Sequence, residues 1–146
     1  MDAPLWQEQP PPPLPTPVYD GDIAAAADLT HHRGRLREEL RRQAAPPRAG
    51  EDDLARLLLA FEELTSNGLR HGGRPVHVTV THDDEGWLVD VTDAAPDRWP
   101  APALDRDPAH GGLGLYMVAR LSAAHGWWSD PVSKHVWAWV RPAPPT

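Results

Sequence analysis

From Leu54 to His71 the chain reads LARLLLAFEELTSNGLRH, and the pair Gly72-Gly73 follows it. No other stretch of the sequence leaves so few folds open. At about 100° per residue, Leu54, Leu57, Leu58, Phe61 and Leu64 fall within one broad apolar arc. That spacing predicts a helix over about residues 52–71, with Glu51, Asp52 and Asp53 complementing its positive end and the glycines stopping it. Glu63 points roughly opposite the centre of the arc, Asn67 about 40° further round and His71 about 80°. The three polar side chains therefore form a slanted row, each one turn above the last. Leu59 and Ala60 sit beside Glu63, so that side is not simply bathed in water. Two readings follow. The row is an exposed polar stripe, or it is one wall of a site in which a carboxylate acts as general base and an amide holds a hard cation. Mg²⁺ takes oxygen ligands, usually with only one or two from protein.

The elements around this helix suggest what it packs against. Thr30 caps a helix expected over His31–Gln43, with Leu36 and Leu40 inward, and APPRAG at 45–50 breaks it. Val76–Thr81 and Trp87–Thr92 read as strands joined by a turn at Asp83-Asp84-Glu85-Gly86. Residues 94–110 are rich in Pro and Asp and read as a long loop. A glycine cluster then opens into a helix carrying Leu115, Val118 and Leu121, within HGGLGLYMVARLSAAHG at 110–126. His135–Arg141, with Trp137 and Trp139 on one face, reads as the last strand. The order predicts an α+β fold, a two-layer sandwich with helices on one face of a mostly antiparallel or mixed sheet.

A length of 146 residues fits one domain with a real core. Residues 1–18 hold the proline-rich run QPPPPLPTP and read as an extended or disordered tail, leaving 19–146 as the domain. Cysteine is absent, which excludes disulfides and thiolate metal sites and fits a reducing compartment. The formal charge of −7 argues against a chain built to coat nucleic acid or anionic membrane. Arg33, Arg35, Arg37, Arg41 and Arg42 spread around their helix instead of forming a stripe, as a solvated face does. No apolar run reaches the length of a membrane span, and no basic-then-apolar leader opens the sequence. A cytoplasmic protein is the expectation.

Two further positions bear on chemistry. Gly111-Gly112-Leu113-Gly114 directly precedes a helix, so backbone N–H groups and the positive helix end converge where no Cβ blocks a phosphate. The cluster is neither G-x-G-x-x-G after a strand nor a P-loop. Asp93 ends the strand WLVDVTD, where a carboxylate can accept from an adenine amine or simply form a turn.

The polar row Glu63-x-x-x-Asn67, a strand ending in Asp93, a loop, and Gly112-x-Gly114 at a helix start together resemble the GHKL ATPase superfamily (gyrase, chaperone, histidine kinase, MutL). Within it the chain is most similar to small anti-sigma-factor serine kinases of the RsbW type, over roughly residues 20–141. The resemblance implies ATP and Mg²⁺ as ligands. It makes Glu63 the general base, Asn67 the Mg²⁺ ligand and Asp93 the adenine-reading carboxylate. Gly112, Gly114 and Leu115 match the second glycine box, Arg70 and His71 the pair that follows the Asn helix, and Ala95 a close pass by the adenine. It further implies a serine on an anti-anti-sigma-type antagonist as phosphate acceptor, a sigma factor or other transcription regulator as partner, and a homodimer. Neither direct nucleic-acid binding nor membrane association is implied.

The chain also departs from the family pattern. Where the first box reads Asp-x-Gly-x-Gly, this chain has Asp93-Ala94-Ala95-Pro96-Asp97. Leu113 replaces an Arg, with Arg98 and Arg106 in the loop as substitutes, and Ser133-Lys134-His135-Val136-Trp137 stands for Gly-Lys-Thr-x-Trp. A nucleotide-sensing module that sequesters a regulator without useful catalysis is the alternative.

Overall fold

In the computed structural model, residues 5–43, 46, 49–94 and 113–143 are described. Five strands form one antiparallel sheet. They are β1 (Thr16–Ile23), β2 (Val76–His82), β3 (Trp87–Asp93), β4 (Ala124–Ser129) and β5 (Lys134–Val140), in the order β1-β2-β3-β5-β4. Helices α1 (Leu29–Gln43), α2 (Glu51–His71) and α3 (Leu113–Leu121) complete the second layer, as the α+β reading expected.

Alternation builds the interface between the layers. Val76, Val78 and Val80 of β2 and Val89 of β3 are fully buried, as are Ala138 and Val140 of β5. Their strand neighbours His77, Thr79, Thr81 and Asp90 turn to the other face, where they are only partly covered. From α2, Leu57, Phe61 and Leu64 are completely buried in the same cluster. Truncating any of these three to Ala costs about 2–5 kcal/mol at such sites.

The ends of α2 are fixed by different chemistry. At its start the Gly50 N–H donates to Asp53 Oδ2 (2.8 Å) and the Ala143 N–H to Asp53 Oδ1 (2.9 Å), while Arg56 pairs with the same carboxylate. Burial raises the Asp53 carboxyl, but these donors outweigh it and hold it below its ordinary value. At the other end the Gly72 N–H closes on the Gly68 carbonyl (2.9 Å), and the Ala94 N–H on the Gly73 carbonyl (2.8 Å) ties this corner to the end of β3. Gly68 makes the close approach possible. A Cβ there would meet Val91 Cγ1 at 3.2 Å and Val76 Cγ1 at 3.3 Å.

Several expectations are corrected. Thr30 does not cap α1, because Ala26–Asp28 form a short 3₁₀ turn and the helix already begins at Leu29. The chain leaves α3 at Leu121 and is a strand by Ala124, so β4 was hidden behind the helical pattern. β1 was missed because Pro17 and Gly21 mask its alternation of Tyr19, Gly21 and Ile23 against Asp20 and Asp22. The Tyr19 hydroxyl bonds His32 Nδ1 (2.6 Å), which pins β1 to α1. Within the segment read as an extended or disordered tail, residues 5–9 lie against β4 and Trp6 is buried. No helix among the described residues is long and apolar enough to cross a membrane.

Candidate functional site

Of the polar row on α2, Glu63 and Asn67 are covered and His71 is exposed. Glu63 is half-buried and Asn67 is only 6 % exposed. The side of α2 that sequence periodicity marked as polar faces the first turn of α3. Gly114 stands there against the Glu63 side chain so closely that an added Cβ would lie 2.6 Å from Glu63 Cδ. Bare backbone at a helix start thus touches a carboxylate, and the positive end of the helix favours that negative charge by about 0.3–1 kcal/mol at low ionic strength.

One turn beyond Glu63, Asn67 sits beside Gly68, the residue that lets α2 press onto β3. At the end of the helix Gly72 meets Asp93, and a Cβ on Gly72 would come 2.6 Å from the Asp93 carboxyl carbon. The structure therefore lines up Glu63, Asn67 and Asp93 along the C-terminal half of α2, with Gly114 over one end. Arg70 and His71 are exposed in the last turn of α2. The Leu115 side chain is buried in the core, in the same cluster as Val118, so its contribution to the site is packing. Ala95, Gly112, Arg98 and Arg106 lie outside the described residues.

Sequence reasoning missed one relationship. Asp93 and Lys134 face each other across β3 and β5 and form an ion pair (3.3 Å), with both residues at most 4 % exposed. Lys134 is the chain's single lysine. A buried pair of this kind is costly to assemble and costly to break, so the carboxylate is held in place by its partner. Lys134 stood out in the Ser133-Lys134-His135-Val136-Trp137 match, just ahead of the strand read as His135–Arg141, but the pairing needs the β3–β5 register, which no local pattern reveals.

Beside it, on the face away from the helices, His135 lies between two carboxylates. Its Nδ1 is 3.0 Å from Asp90 Oδ2 and its Nε2 3.3 Å from Asp130 Oδ2. The hydrogen bond to Asp90 raises the His135 pKa above its ordinary value despite partial burial, and Asp130 adds to the rise. The Val132 and Ser133 N–H groups pull the Asp130 carboxyl down to about 2. This cluster fixes the turn between β4 and β5 from which Lys134 emerges.

These positions fit a magnesium nucleotide. Asn67 could offer an amide oxygen to a hard cation and Asp93 an acceptor at the far end, while at Gly114 the Glu63 carboxylate covers the backbone that a phosphate would approach. The model for the histidine kinase-like ATPase domain matches residues 25–139. The chain belongs to that family. The match takes in every site residue named above and makes this domain an ATP-binding fold of the GHKL kind. No curated protein matches the chain. The ATPase domain as matched begins after β1, so the strap of residues 5–9 lies outside it.

Proposed function

We propose that the domain is an ATP-dependent regulatory serine kinase of the anti-sigma-factor type. It transfers the γ-phosphate to a serine of an antagonist protein and also binds a transcription regulator, as a homodimer. The observation that supports this reading is the half-buried Glu63 carboxylate held against Gly114 at the start of α3, one turn from Asn67. Bound ATP with Mg²⁺ supplies the transferable phosphoryl group and the charge neutralisation. The chain's own part is positional. Glu63 would take the proton of the attacking hydroxyl, Asn67 would offer its oxygen to the cation, and the Gly114 backbone would meet the phosphates once the Glu63 side chain turns off it. Asp93, anchored by Lys134, accepts from the adenine amine.

One observation favours the second reading, a nucleotide-sensing module without useful turnover. The Asp93 carboxylate is already engaged by Lys134, and the residues after it carry Ala95 and Asp97 where the family pattern has glycine. Phosphate transfer from labelled ATP to a candidate antagonist separates the two. For the kinase, Glu63→Ala lowers transfer about 10²–10⁴-fold while ATP still binds. If wild type binds ATP but transfers no phosphate to any candidate antagonist, the sensing module stands and the kinase reading falls.

A further inference from the structure

The segment ahead of β1 has a receptor in the sheet. Residues 5–9 add to the outer edge of β4 as a parallel neighbour. Glu8 pairs with Trp127, the Trp127 N–H donates to the Gln7 carbonyl (3.1 Å), and the Gln9 N–H donates to the Trp127 carbonyl (2.9 Å). Side chains fix the register. Trp6 is 2 % exposed and meets the His125 ring edge-on, centroids 4.7 Å apart. His125 Nε2–H donates to the Leu5 carbonyl (3.0 Å), since a carbonyl can only accept. The Trp137 indole N–H donates to the Gln9 carbonyl (2.9 Å), and the Gln9 amide N–H₂ to the His125 carbonyl (2.8 Å). Gly126 lies underneath, where a Cβ would come 2.8 Å from Gln9 Cγ and 3.0 Å from the Gln7 carbonyl. Glycine is what lets the segment close onto the strand.

The proline run completes the contact. Trp137 alternates with the core positions Val136 and Ala138, so it points away from the helices, and its indole reaches the carbonyl of Gln9, whose N–H is still bonded to Trp127 of β4. From β4 to β1 is four strand spacings, about 19 Å. Six residues from Pro10 to Pro15 in polyproline form reach about 19 Å, enough to cross the outer face to Thr16. Leu88 and Trp137 point to that face, yet they are only 6 % and 2 % exposed, and Pro11, Pro12 and Leu14 are themselves half-buried. A proline run loses little entropy on docking because its φ angles are already fixed.

We propose that the β4 edge, with His125, Gly126 and Trp137, is a peptide-binding site. Its ligand is an extended segment with a tryptophan followed by prolines. The chain's own N-terminal segment fills it in cis, and the same segment presented in trans fills it when the cis copy is released. The site has the chemistry of strand addition joined to aromatic recognition of polyproline. Its test does not depend on nucleotide binding.

The test is amide hydrogen exchange on the full chain, with a synthetic peptide of residues 1–15 as probe. In wild type the Trp127 amide is protected. Trp6→Ala speeds its exchange at least tenfold while the Val89 amide in the core stays protected, and the peptide restores the Trp127 protection saturably. Gly126→Ala, in which the added Cβ blocks the segment, gains no protection from the same peptide. If Trp6→Ala loosens the core as well, Gln9→Pro releases the segment by deleting one donor and leaves the receptor whole. Equal Trp127 exchange in wild type and released variants overturns the proposal. So does failure of the peptide to restore protection in a released variant whose core is intact.

Discussion

The Glu63 carboxylate rests against the backbone of Gly114, in the first turn of α3, with no space between them for a methyl group. The clash in Gly114→Ala falls on the free end of a flexible side chain, so Glu63 moves and the fold survives. Ala also favours the helix over Gly by about 1 kcal/mol, which offsets the crowding. The expected outcome is a melting temperature close to wild type together with a clear loss of phosphate transfer, measured by thermal unfolding and a transfer assay on the same sample.

The Asp93–Lys134 pair gives a stability prediction. Lys134→Met leaves a buried carboxylate without its cation and costs about 3–5 kcal/mol. Adding Asp93→Asn removes the stranded charge and recovers part of that loss, so the two changes are not additive. Urea unfolding of the single and double variants checks the sign of the coupling. Additive losses would mean that the pair does not hold the corner.

His135 sets a pH dependence. Its folded pKa is raised by Asp90 and Asp130 above an unfolded value of about 6.5. The protonated imidazole therefore contributes stability that is complete below about pH 6.5 and is lost as pH rises through the folded value. Asp130 acts in the opposite range, where its contribution fades only as pH falls toward about 2. Melting temperatures measured through the neutral range should show a fall with rising pH that is smaller in His135→Gln. Identical profiles would remove His135 as the cause.

Much of this was legible in the sequence, for definite physical reasons. α2 announced itself through a strict apolar arc and two stop glycines, and the β2–β3 hairpin through alternating valines and an Asp-rich turn. The Asp83 carboxylate indeed accepts the Glu85 and Gly86 N–H groups in that turn (2.8 and 2.9 Å). The row Glu63-x-x-x-Asn67 was visible as a row, but its burial was not, because the cover comes from α3, some fifty residues on. β4 escaped because AHGWWS is short, contains a glycine, and continues an apparently helical stretch. The docked N-terminal segment escaped for a different reason. Its composition is that of a disordered tail, and only Trp6, a large apolar side chain among prolines and glutamines, signalled that it needed a partner.

The central claim is that Asn67 and its neighbours hold a magnesium nucleotide, and calorimetric titration of ATP tests it most directly. Wild type and Asn67→Ala are each titrated with and without Mg²⁺. The account predicts that wild type binds ATP more tightly with Mg²⁺ and that Asn67→Ala loses this dependence while keeping its fold. A folded wild-type protein that binds no ATP under either condition would contradict it.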